Sequence, residues 1–121
     1  MSESGKNKRS LGTAYEDKAA RYLEEYGVRI VERSFRGRFG EIDLIGYDGD
    51  TLVFFEVKYR SSSKAGFAEE AVTPSKRSTI CKVADYYRVM HGISDFADLR
   101  FDVIAINEDK IHWIQNAFNY C

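Results

Sequence analysis

The chain has 121 residues, 18 Lys and Arg against 19 Asp and Glu, and a formal net charge of −1. That length allows one domain with a real core, and the apolar and aromatic content excludes a disordered chain. The longest apolar run, Thr51 to Phe55, is too short to cross a bilayer, the polar start MSESGKNKRS lacks the apolar segment of a signal peptide, and Cys81 and Cys121 have no CxxC partner for a structural zinc. We therefore expect a cytoplasmic protein with two free thiols, a flexible polar tail over residues 1–10 and a single domain over 11–121.

In chain order, Leu11 to Tyr26 reads as a helix. Tyr15, Ala19, Tyr22, Leu23 and Tyr26 recur at helical spacing, and Gly27 ends it. Val28 to Phe35 reads as a strand, and Arg36 to Gly40 as a turn. Glu41 to Tyr47 and Thr51 to Tyr59 read as two strands joined by a hairpin turn at Asp48-Gly49. Ser61 to Val72 reads as a polar loop. Thr73 is the expected N-cap of a second helix, with Pro74 at its first position, Ile80, Val83, Ala84 and Tyr87 as its buried stripe, and Gly92 as its end. Leu99 to Ile106 and Lys110 to Ile114 close the chain as two strands with a turn at Asn107 to Asp109. The order α-β-β-β-α-β-β predicts an α/β fold, one mixed sheet with helices packed on it.

The charges are unevenly placed. Arg33, Arg36 and Arg38 precede the hairpin, and Lys58, Arg60, Lys64, Lys76, Arg77 and Lys82 follow it, while acids gather towards the C-terminus. A basic middle can hold a polyanion; solvated surface cations are the simpler reading of charge alone.

The hairpin carries the most informative pattern. A two-residue turn at Asp48-Gly49 sets Tyr47 opposite Asp50 and Asp43 opposite Phe54. Side chains alternate, so Asp43 shares a face with Phe54, Glu56 and Lys58, and lies one diagonal step from Glu56. Ile42, Leu44, Val53, Phe55 and Val57 fall on the other, apolar face. Two carboxylates brought together in a half-buried place repel each other. One remedy is an ion pair between Glu56 and Lys58. The other is a divalent metal, since hard oxygen ligands suit Mg²⁺ or Mn²⁺, with Lys58 directed at a bound water or phosphate. Acids, metal and lysine form a kit for phosphodiester hydrolysis.

Two helices point at the same place. Glu16 borders the apolar stripe of the first helix, where it is either a third carboxylate or a solvated acid. Lys76 and Arg77 occupy the first turn of the second helix, where the macrodipole disfavours cations. They are either phosphate contacts beside exposed amides or a tolerated surface pair. His91 and His112 read as structural, and no Gly-rich phosphate loop marks a nucleotide cofactor.

Asp43 followed by Glu56-Val57-Lys58 resembles the D…(D/E)xK signature of the restriction-endonuclease-like, or PD-(D/E)XK, nucleases. More closely, the chain resembles the YraN family of uncharacterised bacterial proteins, which is similar to archaeal Holliday-junction resolvases. The likeness rests on Gly12-x-x-Tyr15-Glu16-x-x-Ala19, GEIDLI at Gly40 to Ile45, DGDTLVFFEVKYR at Asp48 to Arg60, TPSKR at Thr73 to Arg77 and RFDVI at Arg100 to Ile104. It implies a central mixed sheet flanked by helices. It implies Asp43, Glu56, the Val57 carbonyl and Glu16 as metal ligands, Lys58 as the catalytic lysine, and Arg60 and Lys76 as basic residues beside the site. Ile42 stands where the nominal motif has proline, and Ser78-Thr79-Ile80 follows Arg77 where a further basic residue is expected.

The expectation is a Mg²⁺- or Mn²⁺-dependent DNA endonuclease acting on branched or otherwise structured DNA, with Arg36, Arg38, Arg60, Lys76 and Arg77 on phosphates. A homodimer would suit two-strand cutting. The alternative is a nucleic-acid-binding or partner module in DNA processing that keeps the fold without turnover.

Overall fold

The computed structural model describes residues 3–60, 72–108 and 110–120, and among these the side chains of residues 12–59 and those from Val72 onward. Helix α1 spans Glu3–Glu25, strand β1 Arg29–Arg36, β2 Glu41–Asp48, β3 Thr51–Arg60, helix α2 Pro74–Met90, β4 Leu99–Asn107 and β5 Lys110–Phe118. The element order is the expected α-β-β-β-α-β-β. The five strands form one sheet in chain order, antiparallel except for β3 and β4, which run parallel across α2. The loop expected from Ser61 onward lies outside the described residues as far as residue 71.

Each helix covers one face of the sheet. Ala19, Ala20 and Leu23 of α1 pack on Leu44, Val53, Phe55, Ile104 and Ile106. Ile80, Cys81, Val83, Ala84 and Tyr87 of α2 pack on Ile42, Ile45, Leu52, Phe54, Phe101 and Val103. Both faces of the central strands are therefore core, which explains their nearly unbroken apolar sequence. The buried thiol of Cys81 belongs to the α2 side.

Local chemistry sets the helix ends. Gly27, at φ 92°, closes α1 as its own N–H bonds to the Glu24 carbonyl and the Val28 N–H to the Leu23 carbonyl, the paired closure that favours glycine. Thr73 caps α2, its hydroxyl accepting from the Lys76 N–H at 3.2 Å, with Pro74 following as expected. Helix α1 begins at Glu3 rather than Leu11. The polar residues before Tyr15 carry no apolar stripe, so periodicity could not register that part of the helix.

Three expectations are corrected. First, Asp48 pairs with Thr51 and Tyr47 with Leu52, so the two turn residues are Gly49 and Asp50, not Asp48 and Gly49. Gly49 takes φ 63° at the first turn position, where a two-residue hairpin loop needs it. The slip moves every partner by two, so Ile45, not Asp43, lies opposite Phe54. Within the paired stretch a shift of two keeps each side chain on its face, but Asp43, beyond it, lines the α1 side with Val57 and Tyr59 rather than sharing the face of Glu56 and Lys58. Second, Ile42 packs with Phe54 on the α2 side and not with Leu44, which packs on the α1 side. Alternation breaks because β2 pairs with β3 only from Leu44 to Asp48, whereas its pairing with β1 continues to Glu41. Third, β5 runs on past Ile114 to Phe118. A bulge at Asn116, φ 54°, carries it over two polar residues, and the Asn116 N–H is accepted by Asp102.

No helix among the described residues is long and apolar enough to cross a membrane.

Candidate active site

The site lies at the fork where β2 leaves β3. There the Asp43 carboxylate replaces the missing backbone partner: its Oδ2 accepts from the Val57 N–H at 2.8 Å. Glu16, one turn before Ala19 and Ala20 on α1, comes down on the same place. Single carboxylate oxygens of Glu16, Glu41 and Asp43 lie within 4.8 Å of one another. Glu16 is fixed by the Ser34 hydroxyl, which donates to its Oε1 at 2.9 Å. The neighbouring Asp17 binds Arg33, so α1 is tied to β1 twice beside the site.

Electrostatics sharpen the picture. Burial pushes the Asp43 carboxyl up to about 7, and the Glu56 charge adds to it. The Val57 N–H opposes this, and Glu16 and Glu41 reinforce it. Glu16 is also raised, first by burial, with the Ser34 hydroxyl opposing and Glu41 adding to the rise. Among the described residues no lysine or arginine lies within ion-pair distance of Asp43.

Glu56 is treated differently. Its side chain is 7% exposed, and its Oε2 receives Lys58 Nζ at 3.3 Å and Lys76 Nζ at 3.6 Å. Lys58 is the same-strand neighbour foreseen from alternation. Lys76 comes from the first turn of α2, on the opposite side of the sheet from Glu16. The fork thus holds an acid cluster reached by α1 and an ion-paired acid reached by α2.

The remaining residues divide. Arg36 pairs with Glu41 at 3.3 Å, so it meets the acid cluster directly. Arg38 is exposed in the turn after β1. Arg77 turns away: its Nε donates to the Val72 carbonyl at 2.9 Å and its guanidinium lies over Phe118 at 5.7 Å. The Arg60 side chain falls outside the described residues. Glu41 was missed from sequence, although an acid two residues before Asp43 on the same strand is a signal that alternation offers. His91 stacks on Tyr87 at 4.1 Å, in keeping with the structural role expected of it.

The uncharacterised protein family UPF0102 matches residues 15–106, a span that holds Glu16, Asp43, Glu56, Lys58 and Lys76. The chain belongs to this family. It is the family expected from sequence under the name YraN. A UPF0102 protein of Lachnoclostridium phytofermentans is 41% identical over 113 residues, covering 93% of this chain and 96% of the relative. One from Vibrio cholerae is 45% identical over 114 residues, covering 92% and 93%. One from Shewanella woodyi is 44% identical over 110 residues, covering 91% and 92%. The UPF0102 likeness therefore extends over nearly the whole chain.

The donor set at the fork fits a divalent cation. Glu16, Glu41 and Asp43 are hard oxygen ligands at converging positions, the type that Mg²⁺ and Mn²⁺ prefer. The half-buried, repelled carboxyl of Asp43 is the group that such an ion would most relieve.

Proposed function

We propose that this UPF0102 protein is a cytoplasmic, metal-dependent endonuclease that hydrolyses phosphodiester bonds in branched or otherwise structured DNA. One observation carries the reading: Asp43 stands half-buried beside Glu16, Glu41 and Glu56, its carboxyl raised to about 7, with no cation paired to it among the described residues. Glu41 and Glu56 have their own cations, but Asp43 has none, and a half-buried carboxyl facing other acids costs stability.

In this reading Asp43 and Glu16 hold the metal, with Glu41, Glu56 and the Val57 carbonyl as further oxygen donors. A bound Mg²⁺ or Mn²⁺ supplies the Lewis acidity that polarises a phosphodiester for attack by water. The chain's own residues do the rest. The Val57 N–H fixes the rotamer of Asp43. The Ser34 hydroxyl fixes Glu16. Lys58 and Lys76, both paired with Glu56, would orient a phosphate and offset the charge that develops on it. Arg36 and Arg38 would extend the basic rim along the backbone, whereas Arg77, held on Val72 and Phe118, would take no part. Contacts of this kind read phosphates and shape, not base edges. Cutting both strands needs two such sites, which a homodimer supplies.

A second reading is favoured by the ion pairing of Glu56 with both lysines. A module that binds DNA or a partner without turnover would keep that pairing for stability alone. Incubating the protein with Mg²⁺ or Mn²⁺ and labelled junction, flap, single-stranded and duplex DNA separates the two. Metal-dependent cutting that disappears in Glu56→Ala is the expected result. DNA binding without cutting, unaffected by metal and by Asp43→Asn, would leave the binding module.

A further inference from the structure

Beside the acids lies a feature that hydrolysis does not require. Tyr15 of α1 and Tyr59 of β3 stack with ring centroids 3.9 Å apart and planes 17° from parallel. A hydrogen bond between their hydroxyls holds the Tyr15 phenol above its usual range. Both line a cleft of about 230 Å³ with Gly12, Glu16, Asp43 and Val57. The stack and the acid cluster therefore share one cavity, with Tyr59 two residues along β3 from Val57.

We infer that the Tyr15–Tyr59 stack is the platform for an unpaired nucleobase next to the scissile phosphate, so that the substrate is DNA with an unpaired nucleotide at the cut. The inference rests on the nuclease reading of the acids and goes beyond it by naming what they cut. Three observations support it. Tyr59 is 39% exposed, although the strand that carries it is otherwise largely buried, so its ring is available to a ligand. The cleft is smaller than the roughly 300–1,000 Å³ of pockets that enclose a whole small ligand, which suits one base of a longer strand. A methyl group built on Gly12 would meet nothing within 4 Å among the described residues. In continuous duplex every base is already stacked and paired. Only an unpaired base can lie on a tyrosine, and such stacking tolerates any base.

The test separates stacking from cutting. Binding of single-stranded oligonucleotides, intact or lacking one base at successive positions, is measured in chelator, where no cutting occurs. Wild type should lose about tenfold or more in affinity when one particular base is absent. Tyr59→Ala should bind intact and abasic strands alike, both as weakly as wild type binds the abasic one. Tyr59→Phe, which keeps the ring, should behave as wild type, and circular dichroism of both variants checks that they are folded. The inference is overturned if wild type ignores the missing base, if Tyr59→Ala still discriminates it, or if single strands do not bind. Cleavage of the same strands with Mn²⁺ tests the nuclease reading on its own: cutting that ignores the missing base removes the platform and keeps the nuclease. Base-dependent binding, with no cutting of these strands or of junction and flap DNA, keeps the platform and removes the nuclease.

Discussion

Asp43 accepts the Val57 N–H across the fork of β2 and β3 at 2.8 Å, and this bond works against everything else around that carboxylate. Burial and the neighbouring acids raise its pKa from 3.8 to about 7. The folded state thus binds a proton that the unfolded chain releases. Stability from this group is full below its unfolded pKa and is lost as pH rises through about 7. In chelator, the melting temperature should fall between about pH 4 and pH 7 and level off above. Asp43→Asn keeps the acceptor for Val57, so it should flatten that fall and match or exceed wild type at the alkaline end. Added Mn²⁺ should restore wild type at alkaline pH and leave the variant unmoved. A variant that tracks wild type through the window would show that Asp43 is not the titrating group.

The two lysines on Glu56 make a second prediction. Either one alone still leaves the buried carboxylate a partner, and Lys76 is 40% exposed, so solvent already screens its share. Lys58→Met or Lys76→Met singly should cost about 1 kcal/mol in urea unfolding. The double variant strands a buried charge and should cost about 3–5 kcal/mol. Simple additivity of the two would mean that the lysines do not share the carboxylate.

Asp102 should prove a structural acid. It is fully buried and accepts from Arg100 Nε at 2.9 Å, Trp113 Nε1 at 2.8 Å and the Asn116 N–H at 2.8 Å, with Arg100 also reaching Asp48 at 2.9 Å. It therefore fastens the bulge of β5 to β4. Asp102→Ala leaves Arg100 with Asp48 alone and the Trp113 and Asn116 N–H groups without their acceptor, and should destabilise by about 3–5 kcal/mol. Fluorescence of Trp113, the one tryptophan in the chain, should report a looser environment before global unfolding. Wild-type stability in the variant would refute this role.

A tight approach between β1 and β2 gives a backbone prediction. A methyl group on Gly46 would sit 2.8 Å from the Arg29 carbonyl oxygen, which belongs to the paired strand and cannot swing aside. Gly46→Ala should therefore cost about 1–3 kcal/mol. Gly49→Ala, in the turn with open space around it, should be strained by its φ of 63° alone and cost about 1 kcal/mol. Equal losses at both positions would show that contact is not the deciding factor at Gly46.

Much of this was legible in the residues. Period and turn chemistry located all seven elements, and the Thr73-Pro74 pair marked the start of α2 to the residue. Alternation put Glu56 and Lys58 together, and the stripe of α1 put Glu16 at the edge that meets Asp43. What was not legible depends on events between elements. A turn of two residues could begin at Asp48 or at Gly49, and only packing decides. The departure of β2 from β3, which re-aims Ile42 and brings Glu41 into the cluster, is set by a partner strand. Arg77 and Tyr59 find Phe118 and Tyr15 across the tertiary structure, and no local pattern encodes such meetings.

The fork draws on α1, β2, β3 and α2, and of its charged groups Glu41, Asp43, Glu56 and Lys58 belong to one hairpin. Hairpins close in about 1–10 μs, far ahead of the longer-range docking of helices. During folding, then, these three acids meet early with Lys58 among them, and Lys76 arrives once the crossover from β3 to β4 has brought α2 onto the sheet. The electrostatic hurdle comes first and its relief second. Refolding should accordingly speed up where low pH neutralises them, and the route to the native state carries the imprint of the site's charge before the site exists.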